Sequence, residues 1–418
     1  MSVLIATASP RAPVILAVFA MTYIGLAMGH VPGLKLNRAG IALLGAIAMM
    51  IFGGVTTADV VSSINWPTIF LLFGFFVISA QLRLSGFYDQ VANAISARLG
   101  SPAKFLFVLM AVTGGLSAFL NHDIVCYVFT PIVGMTLLRK RINPVPFLVA
   151  LAIASNFGAA ATLIGNPQDM MIGQVAHLDF GPYLLWCSVP VLLAMGAAYG
   201  IIWWLSWKRL QPASPAPVEP DYSATPFNRF HTLKGLVILV VVVGLFFSGL
   251  PREIIALAAA GIHLASPKFR TEDLLRLVEW PILILFMGLF VVAGVFQSTG
   301  LGDQAVQWLA DSGFNLNAPA NLVLVTAALS NLISNAAAVI LLLKVVPLSQ
   351  PALAYLLALA NSFAGSLIVI GSLSNIIVVQ QAREMGINIS FWDFARLGIP
   401  VTLAALAGLI AWAGLMAG

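Results

Sequence analysis

Thr162-Leu163-Ile164-Gly165-Asn166-Pro167-Gln168-Asp169 interrupts an apolar run that extends from 145 to 177. Glycine, asparagine and proline together break a helix and leave main-chain amides and carbonyls without intrahelical partners. Ser155-Asn156-Phe157-Gly158, just upstream, adds hydroxyl and amide groups to the same run. A second run, 352–382, carries the same device: Asn361-Ser362-Phe363-Ala364-Gly365, then Ile370-Gly371-Ser372-Leu373-Ser374-Asn375. Polar breaks inside spanning-length apolar runs are tolerated only against protein or water.

The surrounding chain makes the membrane setting plain. Of 418 residues, 60% are hydrophobic and 8% charged, against about 25% charged in a soluble protein. Disorder, collagen-like repeats and a disulfide scaffold are excluded by the same composition. The net charge of +5 comes from basic residues scattered between apolar runs, so it does not point to nucleic acid. Cys126 and Cys187 lie inside apolar segments, and the five histidines have no metal-ligand spacing. No phosphate-cradling Gly-Lys-Ser/Thr loop is present, and no polar domain is large enough to house an enzyme. No cofactor is expected beyond a coupling ion, H⁺ or Na⁺.

Two other polar patches sit at helix-hairpin spacing. Asn121-His122-Asp123 divides the apolar region 104–138, and Ser334-Asn335-Ala336 divides 320–346. About fifteen residues on either side of a tip make roughly 22 Å of helix, enough to pass mid-membrane and return. With both regions read as re-entrant hairpins, the remaining runs give ten crossings, five per half. That reading puts seventeen of the twenty Lys and Arg on one side and leaves only Arg11, Arg252 and Lys344 on the other, as expected for a cytoplasmic side rich in short basic loops. Both termini are then outside. The Pro-rich stretch 206–231 reads as a cytoplasmic linker between an N-terminal half, 1–205, and a C-terminal half, 232–418.

The halves are related in sequence. Residues 38–89 align without a gap on 252–303, with fifteen of 52 positions identical, among them Arg38/Arg252, Trp66/Trp280, Pro67/Pro281 and Gly74/Gly288. Further on, Leu116-Ser117 pairs with Leu329-Ser330 and Ile164-Gly165 with Ile370-Gly371. An odd number of crossings per copy makes the two copies inverted. The fold class expected is therefore an all-α polytopic membrane protein of two inverted repeats, with about ten transmembrane helices, two hairpins and two broken helices. Inverted repeats with broken helices are the signature of secondary transporters, whose site lies where the breaks meet.

Ionisable groups in these patches are few. Asp123 is costly in a bilayer and is a functional candidate for a proton or cation. Asp169 either caps the half-helix after Pro167 or takes part in coupling. His122 either contacts solute or hydrogen-bonds across its tip. Cys126, one turn past Asp123, would suit a thiophilic solute. Lys344 lies about 15 Å along the helix from its tip, and snorkelling to the interface is expected. Ser117 and Ser155 near His122 are the nearest approach to a nucleophile–base pair. No arginine falls where it could hold a multiply charged anion.

The tips Leu120-Asn121-His122-Asp123 and Ile333-Ser334-Asn335, with the breaks Thr162–Pro167 and Ile370–Asn375, resemble the ion transporter superfamily. This group includes arsenite permeases, divalent anion/sodium symporters and citrate transporter-like proteins. The resemblance covers nearly the whole chain and is closest to anion transporters of unassigned substrate. It implies alternating access in a multi-pass cell (inner) membrane protein, often a homodimer. Divalent-anion symporters carry Ser-Asn-Thr at both tips; here Ala336 and the carboxylate of Asp123 argue against a dicarboxylate. The expected function is efflux of arsenite or antimonite coupled to protons, with H⁺- or Na⁺-coupled transport of an oxyanion or a di- or tricarboxylate as the alternative. Asn121, His122, Ser334, Asn335, Asn166, Ser372 and Asn375 are expected to bind the solute. Asp123, Asp169, Thr162, Gly165 and Gly371 are expected to serve the coupling ion. Expected partners are the solute and the lipid bilayer, with no nucleic acid and no resident metal.

Overall fold

The computed structural model describes residues 11–29, 33–97, 100–206, 225–300, 315–348 and 350–417. Most of the 206–231 linker, 207–224, and the 301–303 end of the repeat lie outside the described residues. Among the described residues there are helices and no β-strand. The N-terminal half holds α1 (Ala12–Met28), α2 (Arg38–Phe52), α3 (Thr57–Ser63), α4 (Trp66–Leu84), α5 (Phe87–Ala97), α6 (Pro102–Ser117), α7 (His122–Arg139), α8 (Val145–Ala159), α9 (Pro167–Val175) and α10 (Phe180–Ser206). The C-terminal half holds α11 (Arg229–Leu245), α12 (Arg252–Leu264), α13 (Thr271–Arg276), α14 (Trp280–Gln297), α15 (Pro319–Ile333), α16 (Asn335–Leu343), α17 (Pro351–Ala364), α18 (Leu373–Glu384) and α19 (Phe391–Ala417). A 3₁₀ turn, Val369–Gly371, precedes α18.

Helix boundaries follow from local chemistry. Proline stands in the first turn of α4, α6, α8, α9, α14, α15 and α17, where its missing N–H has no helical partner to lose. Asn37, Asn65, Asn166 and Asn228 N-cap their helices by accepting from an amide three residues on. Four helices, α4, α10, α14 and α19, are long and apolar enough to cross a membrane. Six more, including α8 and α17, are shorter apolar helices. Apolar side chains left exposed along these helices, such as Leu185, Leu192 and Trp204 on α10 and Leu403 and Leu415 on α19, mark a multi-pass membrane protein.

The aligned positions of the two halves occupy matching local structure. Trp66 Nε1 donates to Val61 O at 3.2 Å, and Trp280 Nε1 to Leu275 O at 2.9 Å. Gly74 on α4 lies so close to α12 that a Cβ would come within 2.7 Å of the Ala256 main chain. Gly288 on α14 meets the Ala42 main chain of α2 at the same distance. Both the glycines and the alanines are 214 positions apart. These identities in the repeat thus record two close helix crossings, each joining one half to the other.

The remaining helices form a second group. α6 packs on α8, α15 on α17, and α10 on α19, while α7 lies against α18 and α16 against α9. Each hairpin therefore leans on the broken helix of the opposite half. The end of the linker is fastened to the first group: Asn228 N donates to Ser85 O at 2.8 Å, and Gln81 Nε2 donates to His231 O at 2.8 Å.

Candidate functional site

The first hairpin turns after Ser117, and Asn121 starts the return helix by accepting from Asp123 N at 2.9 Å. His122 and Asp123 occupy the first turn of α7, where the helix dipole favours negative charge. Ser155 Oγ donates to His122 O at 3.1 Å and lies 3.1 Å from Ser117 Oγ. These hydroxyls hold the main chain of the tip and do not address the imidazole, so they form no nucleophile–base pair. In the second hairpin Ser330 Oγ lies 2.7 Å from both Asn335 Oδ1 and Asn361 Oδ1. Ser334 turns the corner at φ 105° and ψ 150°, a conformation that costs a residue with a Cβ on the order of 1–3 kcal/mol and that clusters at functional sites.

The breaks are joined to each other across the two halves. Asn156 Nδ2 donates to Asn375 Oδ1 at 3.0 Å, and Ser372 Oγ donates to Asn156 Oδ1 at 2.9 Å. In the reciprocal pair, Asn166 Nδ2 donates to Ser362 Oγ at 3.1 Å, and Ser362 Oγ to Asp169 Oδ2 at 3.5 Å. The rings of Phe157 and Phe363 meet at 4.7 Å behind these bonds.

Both tips and both breaks contribute to one cavity of about 460 Å³. Of the residues expected from sequence, it is lined by His122, Asp123, Asn166, Ser334, Asn335, Gly371 and Ser372. Among its other polar lining groups are the side chains of Asn156, Asn361 and Ser362. Asp123 Oδ1 lies 3.5 Å from His122 Nε2. Asp123 Oδ1, His122 Nδ1 and Ser334 Oγ are buried without a protein hydrogen bond, as expected of groups that await a ligand or water.

Five expected site residues stand behind the wall. Asn121 caps its helix. The Thr162 hydroxyl donates to Ala118 O. Gly165 is pressed between Ala159 O and Ser117 O, so its small size serves packing. Asn375 Nδ2 donates to Gly365 O at 2.7 Å and to Ile368 O at 3.1 Å. Asp169 is not the cap of α9: it is the third residue of the helix, and its amide donates to the cap Asn166 at 2.7 Å. Cys126 is fully buried and does not line the cavity; Lys344 is exposed at the end of α16.

One expectation is corrected. Arg38, at the start of α2, is among the cavity's lining residues. It lies 83 residues before the nearest tip, and only the packing of α2 on α1 and α14, which themselves touch the second hairpin, brings it there. Its identity with Arg252 in the aligned halves was the available signal. Arg252 itself is engaged elsewhere: its Nη2 donates to Gly173 O at the end of α9 at 3.2 Å, beside a Gln174–Glu253 bond of 3.3 Å. The cavity is lined at one end by the last residues of α1 and the first residues of α2 and α14.

A family model described as citrate transporter matches residues 23–356. An uncharacterised transporter of Mycobacterium tuberculosis (strain ATCC 25618 / H37Rv) is 30% identical over 397 residues, covering 89% of this chain and 92% of the relative. The silicon efflux transporter LSI3 of Oryza sativa subsp. japonica is 27% identical over 449 residues, covering 90% and 92%. Among solved structures, the YdaH transporter of Alcanivorax borkumensis superposes with a TM-score of 0.60 at 15% identity over 98% of both chains. MtrF of Neisseria gonorrhoeae, titled as illuminating a class of antimetabolite efflux pumps, gives 0.61 at 12% identity, over 98% of this chain and 95% of its own. At these identities the two structures speak to the fold alone.

Proposed function

The chain belongs to the citrate transporter family, and from that premise we propose that it is a secondary active transporter for a small hydroxylated oxo-acid, moved outward in exchange for protons. Arsenite or antimonite, neutral as As(OH)₃ or Sb(OH)₃ near neutral pH, is the solute class that fits best. The observation that carries this is the composition of the cavity wall. Asn156, Asn166, Asn335, Asn361, Ser334, Ser362 and Ser372 offer neutral donors and acceptors, and the tips add one carboxylate, Asp123, beside His122. A neutral polyhydroxyl solute matches that wall, and a multiply charged carboxylate would face Asp123. The relative named for silicon efflux handles a chemically similar element, which supports the same solute class.

Asp123 carries the exchanged proton or cation in this reading, with Asp169 in the same coupling set. The two halves work as inverted repeats in the cell membrane, and the cavity faces the basic, cytoplasmic side. The Arg252–Gly173 contact then closes the outer side. Thr162, Gly165 and Gly371 shape the breaks on which the coupling groups sit.

A second reading rests on Arg38. A guanidinium in the cavity wall is suited to an oxyanion or a carboxylate, and coupled transport of such an anion by H⁺ or Na⁺ uses the same fold.

Everted membrane vesicles separate the two. Arsenite accumulation that needs an imposed proton gradient and disappears in Asp123→Asn supports the first reading. Accumulation no greater than in empty vesicles, together with Na⁺- or H⁺-driven uptake of an oxyanion or citrate that Arg38→Ala abolishes, would replace it with the second.

A further inference from the structure

Among the differences between the two breaks is one at a buried position that does not line the cavity, Asp169 in the first and Asn375 in the second. In the second break Asn375 uses both ends of its amide: Oδ1 accepts from Asn156, and Nδ2 donates to Gly365 O and Ile368 O. The equivalent residue of the first break, 206 positions earlier, is Asp169. Its Oδ2 accepts from Asn166 at 2.5 Å and from Ser362 at 3.5 Å. Ser362 occupies the place that Asn156 holds in the other half. Asp169 Oδ1 takes the place of the Asn375 Nδ2 donor, is completely buried and has no hydrogen-bond partner among the described residues. The main-chain groups matching Gly365 and Ile368 are those of Ala159 and Thr162, and both residues are fully buried.

An ionised carboxylate only accepts, so it cannot reproduce the donor half of the Asn375 arrangement. A buried charge with one oxygen unpaired is also expensive. A protonated carboxyl reproduces the arrangement, because its O–H donates where Asn375 donates. We propose that Asp169 is held as the neutral acid in this conformation, its Oδ1–H directed at the carbonyls of the Ala159–Thr162 turn, and that this proton is exchanged for solute through the coupling set that Asp169 shares with Asp123. The second clause rests on the transporter reading; the first does not.

Release of this proton begins at the cavity wall. Asn166 and Ser362 contact Asp169 and also line the cavity. When they part, the Oδ1–H bond breaks and its proton passes to cavity water. The electron pair stays on the carboxylate, which keeps its place in the first turn of α9, where the helix dipole favours it. The titratable groups that face Asp169 are Tyr183 and Cys187 of α10. Its hydrogen-bond partners, Asn166 and Ser362, carry no charge.

Infrared difference spectra of the purified protein in H₂O and D₂O test the first clause without any solute. The expected result is a carbonyl-stretch band of a protonated carboxylic acid that shifts in D₂O and loses a component in Asp169→Asn but retains that component in Asp123→Asn. Identical spectra for wild type and Asp169→Asn would overturn the proposal, whatever the protein transports. Asparagine is the residue that the second break already accommodates, so the variant is expected to fold, and a size-exclusion profile checks it. In proteoliposomes the variant should keep arsenite–arsenite exchange and lose proton-driven arsenite accumulation at least tenfold. Wild-type accumulation under a proton gradient would overturn the second clause. A wild type that moves no arsenite overturns the arsenite reading, and the infrared result then still decides the state of Asp169.

Discussion

The tip and break of the N-terminal half and those of the C-terminal half are built on the same plan with different chemistry. Each tip is tied to its own broken helix through a serine, Ser117 in one half and Ser330 in the other. Each break reaches across to the other through an asparagine or serine pair. Yet His122, Asp123 and Asp169 all lie in the first half, and Asn335, Ala336 and Asn375 hold the equivalent places in the second. The second half instead carries the strained corner at Ser334. Shared scaffolding with the acidic groups of the tips and breaks in only one copy teaches that one plan can be built with different chemistry in each half.

The largest expected effect tests that division directly. Asp123→Asn should reduce the initial rate of proton-driven solute accumulation at least tenfold, a transition-state difference of about 1.4 kcal/mol or more. Ala336→Ser, at the matching place in the second tip, should change it less than threefold. Comparable losses in both would show that the halves share the coupling task.

The equivalence of the scaffolds is tested next. Gly74→Val and Gly288→Val each drive a side chain into a main chain that now lies within 2.7 Å. Each should lower stability by about 1–3 kcal/mol or more, since packed interiors resist added volume, read as similar drops in melting temperature. A large drop in one and none in the other would mean that the two crossings are not equivalent.

The two arginines should behave oppositely. Arg252→Ala removes a bond to the Gly173 carbonyl and should raise labelling of a cysteine placed on its own side of the protein. Arg38→Ala leaves closure of that side unchanged and alters solute affinity. A change in labelling from Arg38→Ala equal to that from Arg252→Ala would erase the contrast.

The smallest effect concerns the bonds between the breaks. Ser372→Ala removes hydroxyl contacts to Asn156 and Ser374 and should cost roughly 1 kcal/mol. Ser362→Ala removes contacts to both Asn166 and Asp169 and should cost more, measured by denaturant or thermal unfolding in the same detergent. Equal costs would indicate that the Asp169 contact adds no more than the Ser372–Ser374 contact does.

Much of this molecule was legible in its residues. Composition decided the membrane setting, and Gly165-Asn166-Pro167 and Gly371-Ser372 decided where helices break, because glycine and proline are costly inside a helix and asparagine and serine suit its N-terminal cap position. The aligned halves marked the tips and breaks as paired features, and seven of the twelve expected site residues line the cavity. Local pattern does not say which way a side chain faces, so it did not separate the lining residues from Asn121, Thr162, Gly165, Asp169 and Asn375. Nor did it place Arg38, whose position depends on a helix 83 residues from the nearest tip. Breaks and caps are set by neighbours in the chain, whose steric and hydrogen-bonding limits travel with the sequence. The cavity wall, the crossed bonds between the breaks and the unpaired oxygen of Asp169 are set by neighbours in space, and only the packing of one half against the other decides those.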